Sequence, residues 1–170
     1  MIKTLAILVE NRPGALARVS NVFARRGFNI ESLAVGPTER PDVSRITLRV
    51  DCADASLEQI EKQVHKLVNV LRVTELEPGE AVERELALVK VTAPPDRRHE
   101  LMALADVFGA RVADLGSDAV VFEVVGTPDV LESFEELVRP HGIKELARTG
   151  QIGLPRASAR RRTRRQHVLS

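Results

Sequence analysis

The sequence predicts an α+β protein made of two successive βαββαβ units. Strand-like alternation of apolar residues and helix-like spacing of three and four follow one another in the same order twice along the 170 residues. Between the two runs stands Glu77-Pro78-Gly79, a turn signal with no apolar period. The pattern that starts near Thr4 starts again near Glu85, about 81 residues on (85 − 4).

In the first unit, Leu5, Ile7 and Val9 alternate and predict a strand over 2–9. Ala15, Leu16, Val19, Val22 and Phe23 then recur at helical spacing, until Arg25, Arg26 and Gly27 supply a stop. Residues 28–35 and 43–50 read as two strands around a polar, proline-containing turn. Leu57, Ile60, Val64 and Leu67 mark a second helix, with Ser56 and Gln59 as a capping box at its start. A strand over 70–76 ends the unit.

In the second unit, residues 86–92 predict a strand. Leu101, Leu104 and Phe108 line a helix closed by Gly109, and 111–115 and 120–125 are two further strands. Thr127 and Pro128 read as N-cap and first helical residue of a helix whose apolar face holds Leu131, Phe134 and Leu137. Residues 143–147 complete the order, which in both units is that of a ferredoxin-like split βαβ fold. The division is therefore residues 1–77, a linker over 78–84, a second domain over 85–155 and a tail.

The net charge of +1 averages two unlike regions. Six arginines and no acids follow Pro155. With those six removed from 25 basic residues, residues 1–155 hold 19 bases against 24 acids, a balance of −5. A tail so charged and so poor in apolar residues cannot offset its chain entropy by burial, so 156–170 are expected to be disordered. One cysteine, Cys52, makes no internal disulfide or metal cluster. No apolar run approaches the ~20 residues of a membrane span, and the N-terminus lacks a secretory pattern. The expectation is a cytoplasmic protein that does not enter a membrane.

A catalytic site is hard to find. His65, His99, His141 and His167 lie in four separate segments without a second His or Cys at i+3 or i+4, and Glu135 and Glu136 are adjacent and point apart. There is no P-loop and no GxGxxG. With no Trp, no Tyr and five Phe, of which Phe23, Phe108 and Phe134 fall on helical core faces, the sheets lack a base-stacking platform. Neither autonomous catalysis nor nucleic-acid binding is expected.

What remains is VENRPGALARV, residues 9–19, where a strand hands over to a helix. A helix N-terminus presents free N–H groups and the positive end of the dipole, so it suits a carboxylate. Pro13 is expected to open the helix and Gly14 to lie in its first turn, where a missing Cβ admits a ligand. Asn11 and Asn29 offer carboxamides that both donate and accept, as a zwitterion requires. The plainer reading is a capping turn and a loop residue.

NRPGALARVSNVFARRGFNIESLAVGPTE, then SRITLRV, LEQIEKQVHKLVNVLRVTEL, VEREL with LVKV, and the closing ARTGQIGLPR resemble the regulatory (small) subunits of acetohydroxyacid synthase, also called acetolactate synthase. The resemblance covers about residues 2–155, is most specific over the first 92, and leaves the arginine tail outside. It implies an N-terminal ACT domain, a second ACT-like domain and no active site. It further implies a catalytic (large) subunit as partner, which uses thiamine diphosphate, Mg²⁺ and FAD, is activated by this subunit and becomes sensitive to valine or a related branched-chain amino acid. Carried over by motif, the effector site falls on Asn11, Pro13, Gly14 and Ala15 with Asn29 and Ile30. A homodimer is expected, because ACT domains pair by strand edges or helices. The second unit opens its helix from Ala93-Pro94-Pro95-Asp96, without glycine, and is expected to hold no equivalent site. The alternative reading is a free-standing amino-acid-binding ACT regulator of another enzyme or of transcription.

Overall fold

A computed structural model describes residues 1–52 and 54–158, the side chains of residues 54–56 excepted. The first unit runs β1 (Ile2–Glu10), α1 (Ala15–Arg25), β2 (Ile30–Pro37), β3 (Val43–Asp51), α2 (Asp54–His65) and β4 (Val70–Leu76). The second runs β5 (Ala81–Thr92), α3 (Arg98–Val107), β6 (Arg111–Leu115), β7 (Ala119–Gly126), α4 (Pro128–Val138), a 3₁₀ turn at Arg139–His141, β8 (Ile143–Arg148) and β9 (Ile152–Pro155). Each unit is an antiparallel sheet with two helices on one face, in the order β2-β3-β1-β4 and β6-β7-β5-β8.

Alternation decides which side chains meet the helices. Leu5, Ile7 and Val9 of β1 stand opposite Leu48, Ile46 and Ser44 of β3, and the apolar members join Val19, Phe23, Ile60 and Val64 in one buried cluster. In the second unit Ala87, Val89 and Val91 do the same with Val124, Phe122 and Val120. There Phe134 of α4 meets Phe122 and Phe108 edge to face, with centroids 5.7 and 5.5 Å away. Core positions thus correspond at 82 residues (87 − 5, 105 − 23), not at the 81 suggested by the pattern. The shift matters because one residue exchanges the two faces of a strand. The interval falls to 76 for the third strand (122 − 46) and 74 for the second helix (134 − 60), because the second unit has shorter connections. Leu16 and Leu137, expected on core faces, are partly exposed, at 39% and 46%.

Three expectations need correction. β5 begins at Ala81, so half of the predicted linker is strand, and the short β9 was not anticipated. Residues 81–84 of β5 pair with β9, Ala81 opposite Pro155 and Arg84 opposite Ile152. The two strands form a ribbon on the helix-free face of the first sheet, where Ala81 joins Ala6 and Leu76 in a small buried cluster. Thr4 and Thr47 on the same face are also buried. Arg156, assigned to the tail, donates its backbone N–H to Glu80 (2.8 Å) and its Nε to Gly79 (2.9 Å), which ties it to the turn before β5. The rest of the predicted tail, from residue 159, lies outside the described residues. Ser56 falls inside α2 and so is not its N-cap. Its side chain, too, lies outside the described residues.

β8 and β9 lie along the same side of β5, interrupted at Thr149-Gly150-Gln151. At this break the chain leaves its sheet and touches β2: the Gln151 N–H donates to Ser32 Oγ at 2.7 Å. A Cβ built on Gly150 would lie 2.1 Å from the Leu33 carbonyl oxygen, so only glycine allows the approach. Arg148, next to the break, pairs with the buried Glu85 (2.5 Å) and with Glu135 of α4 (3.3 Å). Burial opposes its charge, and the hydrogen bond and charge of Glu85 outweigh that, leaving its pKa raised.

Candidate functional site

The turn between β1 and α1 is built by backbone hydrogen bonds, Arg12 N–H to Glu10 and Ala15 N–H to Arg12. Gly14 is the N-cap, with φ +82°, in the left-handed region that glycine occupies without strain. Helix α1 starts at Ala15, so Pro13 precedes the cap instead of opening the helix, and Gly14 lies before the first turn instead of inside it. Nothing lies within 4 Å of a Cβ built there, so the space above the cap is open. Glycine is required by conformation first, and the clearance follows. The first helical bond runs from Arg18 to the Gly14 carbonyl. The N–H groups of Gly14, Leu16 and Ala17 meet no acceptor among the described residues.

Asn11 is held by the β2–β3 turn. Its N–H donates to Asp42 at 2.8 Å and its Nδ2 to the Pro41 carbonyl at 3.2 Å, which leaves Oδ1 able to accept. Arg40 steadies that turn through Asp42, whose carboxyl the guanidinium hydrogen bond holds below the usual carboxylate range. The sequence reading missed three neighbours: Arg18, which donates to Asn69 Oδ1 (2.6 Å); Asn69, which donates to Glu10 (2.9 Å); and Arg12, paired with the same Glu10 (3.3 Å). Arg18, one turn into the helix from Gly14, carried the legible signal, since the spacing puts its cation on the face of the cap.

Asn29 and Ile30 lie elsewhere. Asn29 follows the left-handed Gly27 and donates Nδ2 to Glu31 at 2.6 Å, while Ile30 packs half-buried against the first core. Ile30 stands opposite Val50, itself opposite Lys3, whereas Asn11 follows Glu10 at the other end of β1. The 11 residues of α1 span about 16 Å between the two groups. One chain therefore does not bring the six predicted residues together. It presents Asn11, Pro13, Gly14 and Ala15 at one end of α1, and Asn29 with Ile30 at the other.

The corresponding corner of the second unit is filled. Arg98 places its guanidinium on the carbonyls of Ala93 (3.1 Å), Gly116 (2.8 Å) and Ser117. The His141 side chain is 6% exposed, with Nε2 3.8 Å from Glu100. No group of three metal-ligating side chains occurs among the described residues, and no helix is long and apolar enough to cross a membrane.

Comparison with known proteins meets this geometry in both units. Residues 5–72 match the model of the AHAS small subunit-like ACT domain, and residues 84–157 the model of the small subunit of acetolactate synthase. The probable acetolactate synthase small subunit of Archaeoglobus fulgidus is 49% identical over 158 residues, 93% of this chain and 99% of that protein. The acetolactate synthase small subunit of Mycolicibacterium smegmatis is 46% identical over 153 residues, 90% of each chain. The crystal structure of the small subunit from Thermotoga maritima superposes with a TM-score of 0.87 at 38% identity, over 94% of this chain and 99% of that one. An ACT domain followed by a second unit of the same topology, matched over nine-tenths of its length, places the chain in the acetolactate synthase small-subunit family.

Proposed function

We propose that the chain is the non-catalytic regulatory subunit of an acetolactate synthase. It binds the catalytic subunit in the cytoplasm, raises its activity, and makes it respond to valine or a related branched-chain amino acid. Thiamine diphosphate, Mg²⁺ and FAD belong to the catalytic subunit. The observation that carries the effector reading is the start of α1, where the N–H groups of Gly14, Leu16 and Ala17 meet no acceptor among the described residues and a Cβ on Gly14 would meet nothing within 4 Å. A carboxylate suits these donors and the helix dipole, and Asn11 Oδ1 can accept from the ammonium group.

The separation of the two residue groups supports a homodimer. β2 is an edge strand whose Leu33 and Val35 are more than one-third exposed. Unpaired edges invite another strand. Because β2 rises from Ile30 at one end of α1 to Pro37 at the other, antiparallel pairing with a second copy sets the second copy's Asn29 and Ile30 near Gly14 of the first. The effector then lies between two chains.

The test is valine binding by calorimetry beside inhibition of the reconstituted enzyme. Gly14→Asp sets a negative charge where the effector carboxylate binds, at a backbone strain of about 1 kcal/mol, and abolishes binding while activation persists. Asn29→Ala weakens binding by roughly 5- to 150-fold, the worth of one hydrogen bond to a charged group. Unchanged valine affinity in Gly14→Asp would reduce the helix start to a capping turn. The chain alone, given pyruvate and the cofactors, forms no acetolactate.

A further inference from the structure

The contact between β2 and the break in the β8–β9 edge joins a strand of the candidate effector site to the second unit. Ile30 is two residues from Ser32, and between them the ladder to β3 slips its register, leaving Glu31 in a bulge. Bulges bend a strand locally and interrupt its ladder. Beyond the bulge there is no slack. Gly150 lies against the Leu33 carbonyl so closely that a Cβ has no room, and Gln151, 2% exposed, donates its backbone N–H to Ser32 Oγ. A displacement of β2 at Leu33 is therefore passed to Gly150 instead of being absorbed by a side chain.

Gln151 has a second property. Its Oε1 is buried and meets no hydrogen-bond donor among the described residues. An unsatisfied buried carbonyl is costly, and a small change of position that supplies a donor lowers that cost. The position of residues 149–151 is therefore one that a donor brought to Gln151 Oε1 would bias. Thr149 anchors it to β5 through two bonds, its N–H to the Leu86 carbonyl (2.9 Å) and its Oγ1 accepting from the Leu86 N–H (3.0 Å). A shift at Gly150 accordingly reaches the middle of β5 and the edge of β8.

We propose that Thr149-Gly150-Gln151 is the joint through which effector occupancy of the first unit changes the position of the second sheet. This inference rests on the effector reading above. The coupling needs an element that both units bias, and the joint touches both, β2 through Ser32 and Leu33 and β5 through Leu86.

The test uses the full chain, valine as probe, and the variants Ser32→Ala and Gln151→Leu, which remove a single hydroxyl and the carboxamide that carries Oε1. In the wild type, valine changes amide hydrogen exchange at residues 149–155. Both variants keep valine affinity within about threefold, lose that change in exchange, and raise the inhibition constant of the reconstituted enzyme by about tenfold or more. Circular dichroism confirms their fold. If the wild type binds valine but exchange at 149–155 does not respond, or if the variants are inhibited like the wild type, the joint is not a relay while the effector site stands. If the variants lose valine binding itself, Ser32 and Gln151 support the pocket and the relay is again refuted. If the wild type binds no valine, the effector reading and this inference fall together.

Discussion

Gly150→Ala tests how tightly the two units are held. The added Cβ would sit 2.1 Å from the Leu33 oxygen, 2.3 Å from its carbonyl carbon and 2.8 Å from the Ala34 nitrogen. All three are backbone atoms, so no rotamer change relieves the clash. Reaching ordinary contact near 3.4 Å needs a relative shift of about 1.3 Å, larger than a packed interior absorbs without loss. Overpacking of this kind costs about 1–3 kcal/mol. The Gln151 N–H to Ser32 bond, stretched by the same shift, accounts for about 1 kcal/mol more. The sum is about 2–4 kcal/mol, or roughly 5–15 °C in Tm for a chain of this size. Urea titration followed by circular dichroism measures it, at one fixed chain concentration because the proposed homodimer would enter the apparent stability. Gly36→Ala on the same β2 strand is the control. Its Cβ meets nothing within 4 Å and its φ is not positive, so the change is neutral or stabilising by up to about 1 kcal/mol. A Gly150→Ala chain within about 0.5 kcal/mol of wild type would mean that the contact yields freely, and the account of the joint would be wrong.

Arg148→Ala leaves Glu85, 5% exposed, without its cation and lowers stability by about 3 kcal/mol. Adding Glu85→Gln recovers part of that loss in a double-mutant cycle by urea unfolding. Cys52 is buried, and burial pushes its thiol above the ordinary value of 9.0. Below that value the folded and unfolded thiols are both protonated, so its contribution to stability is fully present. It is lost as pH rises through the higher folded value, because the unfolded thiol ionises first. Native protein at about pH 8 does not react with a thiol reagent, whereas urea-unfolded protein does. Cys52→Ala flattens the thiol's share of the alkaline decline, and fast native labelling would refute the burial argument.

The elements that bury a periodic face were legible. Leu5, Ile7 and Val9, or Leu131 and Phe134, occur where the period places them because one side faces a core. β9 was not legible, since in Ile152-Gly153-Leu154-Pro155 the apolar side chains point outward and the inward position is glycine, which inverts the usual signal. The first third of β5 hid for a related reason: only small Ala81 is apolar on its inner face, and acids surround it. At the candidate site, pattern found the helix start and the need for glycine. It could not find the φ of +82°, which depends on how the turn closes. Nor could it show that Asn29 spends its amide on Glu31 or that the two residue groups stand at opposite ends of α1. Such facts depend on topology and local competition between hydrogen bonds.

The β5–β9 ribbon has a consequence for the order in which the protein can be completed as it leaves the ribosome. The face formed by Thr4, Ala6, Thr47 and Leu76 belongs to residues made early, yet its cover includes Gln151 and Gly153, made almost last. A nascent chain that has emerged through residue 77 has both helices and four strands of its first unit but one side of the sheet bare. Vectorial synthesis at about 5–20 residues per second leaves that side wet for several seconds more. Threonines at two of the four positions keep the waiting face partly polar, a composition that tolerates water before closure and dehydration after it.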